Sequence, residues 1–357
     1  MTDPAPPAPH CPPTPTRPRV LIVVPTLNEA AHIARVVHAL LGGAPPGTML
    51  AVADGGSTDA TRGIVQALSR RDPRVTLVEN PARLQAAGIN RAVALLGAGA
   101  THLLRADAHA EYPPAFCHDL LAEAAATGAA SVTVTMRTLA SSPFTEAVAA
   151  AQNALLGTGG SAHRTGRGGQ FVDHGHHALM RIDAFLAAGG YDGTQSHNED
   201  AELDHRLRAL GYRIWLSGKV SIGYHPRRSL GALFRQYLRH GAGRARTVRR
   251  HRTGLKARQM APLAAALSVP AALAGLALGA VLHPAWLGLA LPVLVWAVAC
   301  LAGGAVLALR ARRWPVLMAG PAAMAMHLGW GAGFLAAVLG APLAGVLAGG
   351  PRGARDQ

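Results

Sequence analysis

The sequence predicts an α/β fold with a mostly parallel sheet, followed by C-terminal membrane-spanning helices. Three observations carry this. Short apolar runs alternate with stretches of helical spacing from Arg19 onward, polar residues gather where those runs end, and charge vanishes late in the chain. Between Met260 and Gly350 the only charged residues are Arg310, Arg312 and Arg313.

The apolar runs are Val20 to Val24, Met49 to Ala53, Val75 to Val78, His102 to Leu104 and Ser131 to Thr135. Between them, Ala30 to Leu41, Ala60 to Arg70, Leu84 to Leu96 and Ala115 to Ala126 have helical spacing. Strands alternating with helices of this length form parallel sheets. Such sheets bind ligands beyond the carboxyl ends of their strands. Those ends hold Pro25-Thr26-Leu27-Asn28-Glu29, then Asp54-Gly55-Gly56-Ser57-Thr58-Asp59, then Glu79-Asn80-Pro81, then Asp107-Ala108-His109. A turn and a helix cap account for the Gly and Ser of the second set but not for Asp54 as the last strand residue.

Further on, Gly189-Gly190-Tyr191-Asp192 reads as a turn, and Asn198-Glu199-Asp200 opens a helix reaching Leu210. Polar residues at a helix start are ordinarily a cap with acids favoured by the dipole. Gln236-Tyr237-Leu238-Arg239-His240 lies in an arginine-rich stretch, Arg227 to Arg258. Phe171 to His177 concentrates three histidines and Asp173 after a glycine-rich loop, Gly157 to Gly169. A second metal site and an acceptor loop are both open for that cluster.

The order PTLNEA, DGGSTD, RADAHA, NEDAELDHRLRALGYRIW and QYLRHG resembles the family 2 glycosyltransferases of the GT-A fold. Among them it is most similar to membrane-tailed exopolysaccharide enzymes, such as the succinoglycan ExoA-type glucosyltransferases. The resemblance covers roughly residues 19 to 245. It implies a Rossmann-like GT-A catalytic domain acting on a nucleotide sugar, with UDP-glucose the implied donor. It further implies that Pro25, Thr26, Asn28 and Glu29, with Asp54, bind the uridine, a pocket that Arg83 and Asn90 extend. Asp107 would meet the ribose or a metal. His109 stands where the family's Asp-x-Asp motif has its second carboxylate, which implies a divalent cation, Mn²⁺ or Mg²⁺, held by Asp107 and His109. Imidazole in place of carboxylate shifts preference toward Mn²⁺.

By the same resemblance Asp200 is the general base of an inverting transfer. A pKa raised by burial near other acids would suit it. Glu199 orients the site, while Glu202 and Asp204 read as ordinary helix positions partnered by Arg206 and Arg208. Gln236 and Arg239 match the Gln-x-x-Arg-Trp motif at the diphosphate end. His240 replaces its Trp, which argues for single addition rather than polymer synthesis.

The chain has 357 residues, 34 of them Lys or Arg against 19 Asp or Glu, for a formal charge of +15. Positive charge of this size also fits nucleic acid. Its concentration beside an apolar segment, with no RNP, zinc-finger or helix-turn-helix pattern, makes membrane lipids the partner and excludes nucleic acid. Ala261 to Leu282 and Trp286 to Leu309 are long enough to span a bilayer. Pro315 to Gly350 forms a third span, either tilted with an interfacial tail or broken near Gly340 and Pro342. The positive-inside rule puts the arginine-rich stretch and Arg310, Arg312 and Arg313 in the cytoplasm, with residues 283–285 on the other side. Cys11, Cys117 and Cys300 form no CxxC pair, so neither a disulfide framework nor a zinc site is expected. Residues 1–18 are Pro-rich, lack the apolar core of a signal peptide and read as a disordered lead-in.

The expected division is therefore a lead-in (1–18), a catalytic domain (19–245), a basic juxtamembrane linker (246–260), a membrane domain of three helices (261–350) and a tail (351–357). The expected protein is an inverting hexosyltransferase on the cytoplasmic face of a bacterial inner membrane. It takes a UDP-sugar and extends a lipid-linked saccharide, with other polysaccharide-assembly proteins as possible partners. Two alternatives stay open. Transfer to polyprenyl phosphate needs no base, because that acceptor is already anionic, and a noncatalytic assembly factor would explain the His109 exchange.

Overall fold

The computed structural model describes residues 17–166, 168–176 and 179–341. The expected lead-in (apart from 17–18), His177, Pro342 and the expected tail lie outside the described residues. The chain divides into two compact units. The first comprises Met1–Val134, Gly168–Thr194 and Asp200–Ser221; the second comprises Thr135–Arg167, Gln195–Glu199 and Ile222–Gln357.

The first unit begins with the expected alternation. It runs β1 (Val20–Thr26), α1 (Ile33–Gly42), β2 (Met49–Asp54), α2 (Thr61–Arg71), β3 (Val75–Glu79), α3 (Gln85–Leu96), β4 (His102–Arg105), α4 (Phe116–Thr127) and β5 (Ser131–Thr138). The β1 run is fully buried, as a central strand covered on both faces requires. In α1 the buried positions are Ile33, Val36, Val37, Leu40 and Leu41, the stripe of a helix that lays one face on a sheet.

After β5 come α5 (Pro143–Asn153), the short α6 (Leu155–Thr158) and α7 (Ala162–Thr165), β6 (Gln170–Val172), β7 (Leu179–Arg181), α8 (Ile182–Ala187), α9 (Glu199–Ala209) and β8 (Ile214–Tyr224). The sheet has eight strands in the order β3-β2-β1-β4-β7-β5-β8-β6. β3, β2, β1 and β4 are parallel, with Thr26 opposite Asp54 and Asp54 opposite Glu79. β7 then enters antiparallel beside β4 and β5, and β6 pairs antiparallel with β8. The sheet is thus parallel where the strand-end loops gather and antiparallel beyond. One core joins β1 to β4 with α3, α8 and α9 through Leu21, Val23, Leu103, Ile89, Phe185 and Leu203.

The second unit contains α10 (Leu230–His251), α11 (Ala257–Val281), α12 (Leu291–Ala311) and α13 (Ala319–Val338), the last two preceded by 3-10 turns. Ser142 caps α5 in a capping box with Thr145, and Ser229 caps α10. The boundary expected at residue 245 falls inside α10. Three segments, Ala257–Val281, Pro284–Ala311 and Trp314–Val338, are long and apolar enough to cross a membrane. α13 ends at Val338, and Gly340 takes φ 70°; the rest of the expected third span, residues 342–350, lies outside the described residues. The unit's core packs α5, α10, α12 and α13 through Val148, Ala151, Leu233, Ala308, Ala322 and Met326. α10 meets α13 so closely that a Cβ on Gly241 or Gly333 would overlap the Trp330 or Leu238 carbonyl.

Candidate active site

The ends of β1 and β2 are laced into one rigid ledge. Asn28 takes φ 56°, and its N–H donates to Ser57 Oγ at 2.8 Å while its Oδ1 accepts from Thr58 N at 2.8 Å. The Glu29 N–H donates to Thr61 Oγ1 at 2.8 Å, and the Ala30 N–H to Asp59 Oδ2 at 3.1 Å. Burial pushes the Asp59 carboxyl up, but Thr61 and backbone N–H groups outweigh it and hold it below the ordinary carboxylate range.

Pro25 and Thr26 continue β1. Thr26 is buried, and its hydroxyl donates to the Val24 carbonyl at 3.0 Å. Asp54 closes β2 and accepts from the Gly56 and Ser57 N–H groups and from Arg62 Nη1 at 2.9 Å. Arg62 also reaches Glu79 at 2.7 Å, joining the ends of β2 and β3. Thr26 and Asp54 therefore brace the ledge.

At the end of β4, Arg105 is buried, Gln85 Nε2 donates to Asp107 Oδ1 at 3.0 Å, and Arg105 Nη2 lies 3.7 Å from the same oxygen. Tyr112 pins the backbone of Asp107, its hydroxyl accepting from the Asp107 N–H at 2.6 Å and donating to the Asp107 carbonyl at 3.1 Å. His109 Nδ1 lies 2.9 Å from Glu29 Oε1, so the first and fourth strand ends meet through these two side chains. A carboxylate at that distance takes an Nδ1–H, which in a neutral imidazole puts the lone pair on Nε2. An imidazole whose second nitrogen is held by a carboxylate is the usual form of a metal-binding histidine.

Among the described residues no three His, Cys, Asp or Glu side chains cluster to hold a metal. A divalent cation on Asp107 and His109 would complete its shell with diphosphate oxygens and water, as small hard cations at phosphate sites commonly do. The residues fit such an ion on those terms. No second metal cluster forms at Asp173 to His176, and His177 lies outside the described residues.

The start of α9 supplies the remaining chemistry of this unit. Asp200 Oδ1 pairs with Arg105 Nη1 and accepts from the Tyr191 hydroxyl at 3.0 Å; Asp200 Oδ2 lies 2.6 Å from His176 Nδ1. Sequence reasoning expects a base whose pKa is raised by neighbouring acids. The structure corrects this: burial does push the carboxyl up, but the Arg105 guanidinium and the His176 and His174 imidazoles overcome it and hold Asp200 well below the carboxylate range.

Asp204, one turn on, moves the other way. Burial raises it, and the His174 hydrogen bond at 2.8 Å offsets only part of the shift. Its partners are therefore His174 and the Gly175 N–H rather than Arg208, which pairs with Asp173 at 2.8 Å. Glu202 does take Arg206, through two contacts of 2.9 and 2.6 Å.

Asn90, expected beside the uridine pocket, clamps Tyr191, donating to its carbonyl at 2.7 Å and accepting from its N–H at 2.9 Å. That clamp aims the Tyr191 hydroxyl at Asp200. Arg83 takes φ 56° and lays its guanidinium beside Gly56. The residues that sequence reasoning missed are Arg105, Tyr191 and His176. All three stand in motifs already singled out, but the patterns carry no sign that they converge on one carboxylate.

Glu199 and the QYLRH motif belong to the second unit. Glu199 is the buried first residue of α9. On α10, Gln236 Nε2 donates to the Tyr224 hydroxyl at 2.9 Å, and the His240 ring stands 5.4 Å from that of Tyr237. Arg239 lies on the same helix, between Leu238 and His240.

The profile described as glycosyl transferase family 2 matches residues 21–187. The chain is 51% identical over 316 residues to the succinoglycan biosynthesis protein ExoA of Rhizobium meliloti (strain 1021), covering 88% of this chain and 93% of that one. Among solved structures it is similar to the mannosyltransferase PcManGT of Pyrobaculum calidifontis in complex with GDP-Man and Mn²⁺, at TM-score 0.53 and 22% identity, covering 90% of this chain and 87% of that one. Residues 1–349 of S. aureus TarS, in complex with UDP, align at TM-score 0.44 and 14% identity over 90% of this chain and 92% of that one.

Proposed function

The chain belongs to glycosyltransferase family 2, and from that premise we propose an inverting transfer of a hexose from a UDP-sugar to a hydroxyl of a lipid-linked oligosaccharide. The setting is exopolysaccharide assembly of the succinoglycan kind, on the cytoplasmic face of a bacterial inner membrane. The 51% identity to a succinoglycan biosynthesis protein supports the pathway; glucose as the donor sugar follows from the resemblance to the ExoA-type glucosyltransferases. The arginines of α10 beside three apolar helices support the membrane and its cytoplasmic side. They also suit a diphosphate-linked lipid acceptor.

The observation that carries the reading is the buried guanidinium of Arg105, which pairs with Asp200 and lies 3.7 Å from Asp107. It holds the nucleotide-side carboxylate and the acceptor-side carboxylate next to each other, as a displacement between donor and acceptor needs. Pro25, Thr26, Asn28, Glu29 and Asp54 form the nucleoside ledge. Asp107 and His109 would hold a divalent cation, Mn²⁺ serving at least as well as Mg²⁺, and when bound it would neutralise charge on the departing diphosphate. Asp200 is the general base that takes the proton from the acceptor hydroxyl, and Glu199 orients the acceptor. For Gln236 and Arg239 the support is the Gln-x-x-Arg motif alone; an Arg there suits a diphosphate.

The test is UDP release by the full chain in mild detergent from a panel of UDP-sugars, with Mn²⁺, Mg²⁺ or EDTA and a bacterial membrane lipid extract. Release that needs metal and extract, favours one sugar and collapses in Asp200→Asn supports the reading. Release that persists in Asp200→Asn overturns the hydroxyl acceptor in favour of a lipid phosphate. Absence of both release and UDP-sugar binding overturns the transferase.

A further inference from the structure

The second unit holds a polar cluster that the transfer described above leaves unused. On the short α7, Arg164 lays its guanidinium over the Tyr224 ring, 4.7 Å from the centroid. The Tyr224 hydroxyl accepts from Gln236 Nε2 at 2.9 Å. Tyr237, the next residue of α10, stands beside Arg164, Tyr224 and the side chain of Gln152 from α5. All five residues belong to this unit.

Hydrogen-bonding capacity is left unfilled across the cluster. Gln152, at 0% exposure, has buried amide positions that no described residue fills, and so do Arg164 at Nη1 and Gln236 at Oε1. Folded proteins leave few buried polar groups in this state. Stacking on Tyr224 engages one face of the Arg164 guanidinium but none of the N–H groups in its plane. Burial pushes the Tyr237 hydroxyl up to about 12, with Arg164 opposing, so the phenol stays protonated and is a donor at neutral pH. A guanidinium fork beside a phenol and an amide, in a cluster whose five members include no carboxylate, is a donor set for phosphate oxygens.

The cluster adjoins the apolar helices. Gln152 follows Ala151 on α5, and Tyr237 packs against the core that Val148, Ala151 and Leu233 share with Met326 of α13. Gly157, between Gln152 and Arg164 in sequence, meets Met326 so closely that a Cβ would overlap its methyl. Ser161, just before α7, accepts from Arg258 Nη1 at 3.0 Å, which ties α7 to the first turn of α11. A basic pocket with apolar helices beside it suits an anion carried on a hydrocarbon chain.

We infer that Arg164, Tyr237 and Gln152 bind the diphosphate of the lipid-linked acceptor, with Gln236 holding the Tyr224 ring against the guanidinium. The inference rests on the lipid-linked acceptor proposed above and brings α5 and α7 into its binding. Gln236 Oε1, the acceptor atom among these donors, suits a hydroxyl of the sugar next to the diphosphate. No covalent step takes place in the cluster; it anchors the acceptor.

The experiment measures binding of farnesyl diphosphate, a short-chain lipid diphosphate, to the full chain in mild detergent by titration calorimetry, with excess UDP present to occupy the nucleotide site. Inorganic pyrophosphate and phosphatidylglycerol are the comparison ligands, and both are expected to bind more weakly. Arg164→Gln is expected to weaken farnesyl diphosphate binding by about 10- to 100-fold, and Tyr237→Phe by about 3- to 10-fold, while UDP affinity stays unchanged. Arg164→Lys keeps the charge but loses the fork, so its affinity should fall between Arg164→Gln and wild type. Urea unfolding shows that each variant is folded. Absence of binding in wild type, or binding that Arg164→Gln and Tyr237→Phe leave unchanged, overturns the inference. Equal affinity for phosphatidylglycerol would make the cluster a general headgroup contact, and equal affinity for pyrophosphate a site for the free anion; either result overturns it too. No sugar is transferred in this measurement. A chain that binds farnesyl diphosphate through Arg164 but releases no UDP from any UDP-sugar keeps the lipid-diphosphate site while the transferase reading fails. Undiminished transfer by Arg164→Gln to the lipid extract would sink this inference alone.

Discussion

Arg105 and Asp200 form an ion pair across 95 positions of sequence, with the guanidinium side chain only 2% exposed. One is the last residue of β4 and the other the second residue of α9, so the pair fixes the start of α9 against the end of the parallel sheet. A buried pair of this kind adds little over an apolar substitute, yet removing one partner alone is costly because the other charge stays behind.

Arg105→Met is therefore expected to destabilise the protein by about 3 to 5 kcal/mol and to abolish transfer. In the double variant with Asp200→Asn, much of the stability returns while activity does not. Urea unfolding followed by tryptophan fluorescence gives the cycle. Strict additivity of the two single changes would show that the residues do not interact.

The parallel half of this architecture was legible because each strand is a continuous apolar run closed by turn residues. β1 to β5 begin where the pattern places them, and Asp54 and Asp107 stand at their ends. β6 and β7, with three residues each, are too short to show alternation, and their partners are set by contacts distant in sequence. Arg105 reads as an ordinary strand-end cation until α9 is brought to it. The cluster at His174 and His176 was visible as composition, but its purpose depends on two carboxylates that local sequence does not connect to it.

Acid should act on this site with a definite sign. The folded pKa of Asp200 is depressed, with burial opposing and Arg105 and His176 prevailing, so its contribution to stability is complete above the unfolded value of about 3.9 and is lost as pH falls below that. Wild type should lose on the order of 2 kcal/mol more than Asp200→Asn between pH 5 and the acid limit. Parallel stability curves for the two proteins across that range would show that the pair has no such role.

His109→Asp would put a second carboxylate at the proposed cation position. It is expected to lower the Mn²⁺ requirement relative to Mg²⁺, because an oxygen ligand suits the harder ion. His109→Ala should weaken Mn²⁺ binding by about 10-fold or more, and Glu29→Gln should do so less severely by loosening the ring. Mn²⁺ titrations in the presence of UDP measure both, and identical metal affinity in all three variants would remove His109 from the site.

Gly175 sits against Thr133 so closely that a Cβ would overlap the threonine hydroxyl. Gly175→Ala should push the loop, and with it His174 and His176, away from α9. Transfer is expected to drop by at least about 10-fold, since His176 is then drawn away from Asp200, the proposed base, and small misplacement there is costly, while UDP affinity stays unchanged. Adding Thr133→Ala should recover part of the rate. A Gly175→Ala enzyme with wild-type kcat would show that the loop position is immaterial.

The third apolar helix behaves differently from the other two. The most apolar stretches of α11 and of the α12 segment are only 22% and 11% buried within the protein, whereas that of the α13 segment is 44% buried. α13 runs beside α10, with Gly329, Gly333 and Trp330 against Phe234, Leu238 and Gly241, and Arg249 reaches the Ala337 carbonyl at 3.4 Å. α10 also carries Arg235, Arg239, Arg244, Arg246 and Arg250. If α13 crossed the bilayer, several of these arginines would be carried to hydrocarbon depth, at roughly 2.5 to 3.5 kcal/mol each near the centre. The expected outcome is that α11 and α12 cross as a pair while α13 stays with α10 on the side that keeps the arginines. Reporters fused after Ala341 should then give fluorescent GFP and inactive alkaline phosphatase, with the reverse pattern for fusions in the 283–285 loop. Active phosphatase after Ala341 would mean that α13 does cross and that α10 is shielded from lipid by other means.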